Sequence, residues 1–173
     1  MERRAFGTQG LEIRDAEQRI SAGAVIPYDT PTRIGGYTES FARGAFDGVE
    51  PPEVPLLVSH QHAGLPIGRT ISLVDGEHAL VGEWQLSQTR DADEVLQLAR
   101  DQVPLGLSVG FAPVEDRWNS DRTRVVRVRA RLGEVSVVGV PAYEDAKVTS
   151  VRADEGGRPP SSPRLMIARL TRR

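Results

Sequence analysis

The chain has 173 residues, with 22 basic and 24 acidic side chains, three histidines and no cysteine. Disulfides, thiolate zinc sites and a cysteine nucleophile are thereby excluded, and the near balance of charge offers no global attraction to nucleic acid or to an anionic membrane. The length suits one domain with a core of its own; no apolar run approaches the roughly 18 residues of a membrane span, and the charged start MERRAFGTQG lacks the apolar centre of a signal peptide, so a soluble, cytoplasmic protein is expected.

Seventeen glycines and twelve prolines punctuate short apolar runs, which predicts a β-rich domain with many turns. RISAGAVIPYD predicts a strand ending at Pro27, and TESFARGAF (Thr38 to Phe46) a short helix. VPLLVSH (Val54 to His60) has the make-up of a short buried strand. ISLVDGEHALVGEWQL predicts two strands about the hairpin dipeptide Asp75-Gly76. Between Asp91 and Gln102 the apolar residues Ala92, Val95, Leu96, Ala99 and Val103 follow helical spacing, with Asp91 and Glu94 as a capping box and Pro104 as the stop. In RTRVVRVRARLGEVSVVGVPA, Val126, Val128, Ala130 and Leu132 alternate with Arg127, Arg129 and Arg131, the period of a half-buried strand whose arginines form its polar face. Gly133 is expected to split that segment in two. From Ala153, ADEGGRPPSSPR has a linker composition, so the expected organisation is a domain over residues 1–152 and a linker with tail over 153–173.

GLSVG (Gly106 to Gly110) fits the letters of the nucleophile elbow of α/β-hydrolases. That fold needs an acid and then a histidine after the serine, yet His60, His62 and His78 all precede Ser108. A chymotrypsin-like order survives the histidine count but needs two barrels in a chain sized for one. A serine hydrolase of another kind still requires a base within reach of the hydroxyl and a third group to orient it. His60 ends the apolar run VPLLVSH, where a rigid strand would hold its imidazole, and the polar, glycine-containing QHAGLPIGRT after it suits a cleft rim. Glu134 is a lone carboxylate entering an apolar strand, a costly placement unless a partner is present. Taken singly, each has an ordinary alternative: a serine filling a glycine-flanked turn, a histidine at a strand end, a glutamate at a bulge. His60 and His62 share a strand face and could ligate a metal, but only the distant His78 could join them, so no metal is expected. Trp84, Trp118 and Tyr143 read as packing residues, and Arg69 as an anchor to a carboxylate or a solvated side chain.

Four blocks in order resemble one family, the prohead maturation proteases of tailed phages and prophages. They are GAVIPYDTPTRIGGYTESFARGAFDG, LLVSHQHAGLPIGRT, a helix leading into GLSVGF, and LGEVSVVGVPAYEDAKV, together spanning about residues 10–152. The chain departs from the family in having Ser59 and Gln61 about the histidine, where Asn and Asp are frequent. The resemblance implies a serine endopeptidase that trims scaffold or capsid precursor, and often itself, inside the assembling prohead in the host cytoplasm. It implies a mostly β fold similar to the herpesvirus assemblins, a single closed β-barrel with surrounding helices, and a homodimer. Carried over residue by residue, Ser108 matches the nucleophile, His60 the general base and Glu134 the orienting acid. Backbone N–H groups of Ala142 and Tyr143, in the Pro141-Ala142-Tyr143 turn, are the implied oxyanion-hole donors, worth roughly 3 kcal/mol each. No cofactor, membrane or nucleic acid enters this picture. Its competitors are a non-catalytic assembly module of the same fold and a stand-alone bacterial serine peptidase or esterase.

Overall fold

The computed structural model describes residues 2–6 and 11–139. The expected Pro141-Ala142-Tyr143 turn, the boundary at residue 152 and the tail over 153–173 lie outside the described residues. What is described is mostly β: β1 (Glu2–Phe6), β2 (Glu12–Asp15), β3 (Ile20–Pro27), β4 (Thr32–Ile34), β5 (Tyr37–Phe41), β6 (Leu56–Val58), β7 (Gly68–Asp75), β8 (Ala79–Leu86), β9 (Gly106–Trp118) and β10 (Arg124–Val138), with one α-helix, α1 (Arg90–Arg100).

All ten strands join one sheet. Its path runs β1-β9-β10-β6-β7-β8-β3-β2, and the β4–β5 hairpin attaches through β5 to β10. β10 organises it. One edge of this long strand pairs antiparallel with β9 along nearly its whole length, while the other takes β5 in parallel at Arg124–Arg127 and β6 in parallel at Val135–Val137. The predicted closed barrel is corrected to a curled half-barrel, open between β1 and β2. The physical reason lies at the gap. Among the described residues no ladder pairs β1 with β2; Leu11, just before β2, bonds instead to the Leu105 carbonyl ahead of β9 at 3.3 Å, and β2, four residues long with an irregularity between Ile13 and Asp15, has no straight edge to extend the ladder. Of the expected surrounding helices, only α1 and a 3-10 turn at Pro51–Glu53 are found among the described residues.

The core lies inside the curl. Val25, Ile26, Phe41, Leu56, Trp84 and Phe111 are almost wholly removed from water there, each such side chain contributing about 1.5–3 kcal/mol. Trp84 folds over Gly82, where an added Cβ would stand 2.3 Å from the indole ring. α1 closes the underside with Ala92, Val95 and Leu96. The hairpin about Asp75-Gly76 and the helix stand as predicted, with three local corrections. Thr89, not Asp91, is the N-cap of α1, with no side-chain capping bond, and Val103 is 42% exposed beyond the helix end. The segment expected as a helix from Thr38 is strand through Phe41, because Thr38 to Phe41 pair with Arg124 to Arg127; turns follow it. Arg69 is exposed, one of its two expected settings, and meets the Gln85 amide oxygen at 2.9 and 3.1 Å.

Gly133 does not split β10; it makes a bulge. Leu132 pairs with Phe111 and Glu134 with Gly110, so two residues of β10 oppose one of β9. Across that bulge the core-facing set changes from Ala130 and Leu132 to Val135 and Val137. A second pair of irregularities, between Arg127 and Ala130, breaks the expected arginine stripe. Arg129 and Arg131 are exposed as predicted, whereas Arg127 is buried and donates to Glu39 at 2.6 Å, Asp116 at 2.6 Å and Glu2 at 2.9 Å. Burial opposes its charge, but the three carboxylates outweigh burial and hold the guanidinium above its usual range.

Candidate active site

The bulge decides which side of the sheet receives the chemistry. Once past it, Glu134 and Ser136 share the face of Ser108 and Gly110 on β9, with Glu134 opposite Gly110 and Ser136 opposite Ser108. β10's other neighbour there is β6, whose parallel pairing ends at Val58 opposite Val137. The Ser59 N–H then bonds the Val137 carbonyl at 2.9 Å, carrying the ladder one residue further. The chain turns back sharply here: Ser59 and His60 have φ of 50° and 58°, and Gln61 N–H returns to the Val58 carbonyl at 3.0 Å. Two consecutive side-chain-bearing residues in the left-handed region are costly and persist only where their surroundings hold them. The turn swings the imidazole over β10.

Three side chains predicted from sequence meet there. His60 Nε2 lies 2.6 Å from Ser108 Oγ, and His60 Nδ1 lies 2.5 Å from Glu134 Oε1. The residues are 48 and 74 positions apart in the chain, yet they stand on β9, on β10 and just beyond β6, three neighbouring strands. A carboxylate can only accept, so Nδ1 carries the hydrogen, and the Nε2 lone pair is left to accept from the serine hydroxyl. Glu134 is 1% exposed and Ser108 1%, while the His60 side chain keeps 15%. A buried carboxylate needs its oxygens satisfied, and both are: Oε1 by His60 and Oε2 by the Ser136 hydroxyl at 2.6 Å. The proton line is desolvated and runs in one direction, from hydroxyl to imidazole to carboxylate.

Gly110 explains the second glycine of GLSVG. A Cβ at this position would stand 2.5 Å from Glu134 Oε1 and 2.9 Å from its Cγ. The glycine vacates the volume that the carboxylate fills, a reason unrelated to a nucleophile elbow. Ser136, which bonds Glu134 and also accepts the His60 N–H at 3.1 Å, was not singled out in the sequence. Its signal lies in the spacing: residues i and i+2 of a strand share a face, which puts Ser136 beside Glu134. His62 and His78 are exposed and outside the cluster. Gln61, beside the histidine, lines a cleft with Asp91, Glu94 and Leu98 of α1. Ala142 and Tyr143, expected as oxyanion donors, are outside the described residues.

A model of one protein family, the caudovirus prohead serine proteases, matches residues 9–157 of the 173-residue chain. No curated protein and no solved structure matches it.

Proposed function

The chain belongs to the caudovirus prohead serine protease family, and on that premise we propose that it cleaves peptide bonds with Ser108 as nucleophile, His60 as general base and Glu134 as the group that orients and charges the base. Family membership implies a capsid maturation protease. The observation that carries the assignment of residues is the continuous hydrogen-bond line Ser108–His60–Glu134. In the proposed reaction His60 Nε2 takes the hydroxyl proton as Ser108 Oγ attacks the scissile carbonyl. The new imidazolium is stabilised by Glu134 and returns its proton to the leaving amine. Water, deprotonated by the same nitrogen, then releases the acyl group and restores the serine. The charged imidazolium–carboxylate pair forms away from bulk water, where its attraction is strongest.

The substrate in this reading is scaffold or capsid precursor within the assembling prohead of the host cell, joined by the tail of the chain itself where that tail reaches the serine of its own or another copy. Self-cleavage, a homodimer and the Ala142 and Tyr143 oxyanion donors come to the proposal from the family resemblance alone. A binding module without catalysis has no use for an imidazole aligned between a buried carboxylate and a hydroxyl. Ser108→Ala, co-expressed with the capsid or scaffold precursor of the same phage, should leave that precursor at full length on mass spectrometry, whereas the native chain shortens it. Processing that continues in the Ser108→Ala protein would remove Ser108 from the mechanism.

A further inference from the structure

Ser136 is fully buried and faces Ser108 in the β9–β10 register. Its hydroxyl has one hydrogen and two lone pairs. The hydrogen goes to Glu134 Oε2 at 2.6 Å, and a lone pair accepts the backbone N–H of His60 at 3.1 Å. The direction of both bonds is forced, since a carboxylate only accepts and an amide N–H only donates. One atom therefore touches the acid through its side chain and the base through its backbone. With Oε1 on the imidazole and Oε2 on Ser136, the carboxylate cannot rotate without breaking a bond at each end. The strained Ser59–His60 turn is pinned to β10 at two successive points, by the Val137 carbonyl and by the Ser136 hydroxyl.

We propose that Ser136 is a positioning residue, coupling the orientation of the Glu134 carboxylate to the seat of the His60 imidazole. The inference rests on the roles proposed above for Ser108, His60 and Glu134. A hydroxyl that merely satisfied a buried N–H would matter to stability but not specifically to Glu134, and the two cases separate in a mutant cycle.

The probe is diisopropyl fluorophosphate, which phosphorylates an activated serine with loss of fluoride, applied to the purified full chain. Labelling is followed as a limiting rate and a half-saturating concentration, with folding checked by circular dichroism. The native chain should label at Ser108 and the Ser108→Ala protein should not. Ser136→Ala should lower the limiting rate by about 10- to 100-fold, the scale of a slight misplacement of reacting groups, and shift half-saturation by less than about 3-fold. In a Glu134→Gln background the same substitution should cost less than about 3-fold, because the group it holds has gone. Ser136→Thr, which keeps the hydroxyl, should recover labelling to within about 10-fold of the native rate. Should Ser136→Ala fail to fold, Ser136→Cys, close in size and a poor donor, stands in for it under the same criteria. An unchanged limiting rate in Ser136→Ala, an equal loss in both backgrounds, or a folded Ser136→Thr as slow as Ser136→Ala overturns the positioning role alone. A native chain that never labels overturns the serine reading, and this inference with it.

Discussion

Gly110 shows how little space separates the carboxylate from the strand beneath it. With Glu134 Oε1 standing 2.5 Å from where a Cβ would be, Gly110→Ala must push the carboxylate away from His60 or bend β9. We expect serine labelling by diisopropyl fluorophosphate to fall by about 100-fold and the melting transition to drop by the equivalent of about 1–3 kcal/mol, the usual cost of overpacking. Full activity in a folded Gly110→Ala protein would mean that the carboxylate has another working position. At this scale the sequence pointed to Ser108 through its glycine-flanked motif, to His60 as the end of an apolar run and to Glu134 as a carboxylate entering an apolar strand, and the three side chains meet in the structure. It was uninformative about Gly110 and Ser136. A glycine after a serine invites the elbow reading, and a serine among valines looks like any strand residue until the carboxylate two positions earlier is known to face it.

The elements were legible where hydrophobic period and local turn chemistry agree, as in α1 and the β7–β8 hairpin. They were not legible where a distant partner decides. Thr38 to Phe41 is a strand because β10 offers it an edge 86 residues further along, at Arg124, and no local pattern records that offer. The bulge at Gly133 is likewise invisible in a residue count, although it is what turns Glu134 away from the core. Element ends also carry chemistry. Tyr28, just past β3, donates its hydroxyl to Asp75 at the end of β7, and burial, reinforced by that bond and by the charge of Asp75, raises the phenol well above its ordinary range. The unfolded chain loses this proton near pH 10 while the folded chain keeps it, so the contribution is complete below that pH and stability falls as pH rises beyond it. Tyr28→Phe should remove about 1.4 kcal/mol per pH unit of that alkaline slope, as read from urea midpoints between pH 9 and 11; identical slopes in the two proteins would contradict it.

Across the whole molecule, a partly buried ion cluster ties the open sheet together around its central strand. Arg127 on β10 gathers Glu39 of β5, Asp116 of β9 and Glu2 of β1, and so fastens three strands to the central one, including the strand at the open edge. Removing the cation leaves Glu39, 2% exposed, facing two other acids. Arg127→Met should therefore cost about 3–5 kcal/mol in urea unfolding, and adding Glu39→Gln should restore a large part of it; a double variant as weak as the single one would show that packing, not charge, is at stake. Mostly-β architecture was readable from composition and punctuation, but closure was not, since it depends on whether two short edges can meet. The position of β10 at the centre of the sheet has a temporal side as well. A ribosome makes this strand after every other described element, so a nascent chain grown only as far as β9 already holds the serine yet has neither the acid nor the edge against which β6 seats the histidine. On the roles proposed here, synthesis itself keeps the protease silent until β10 has been made.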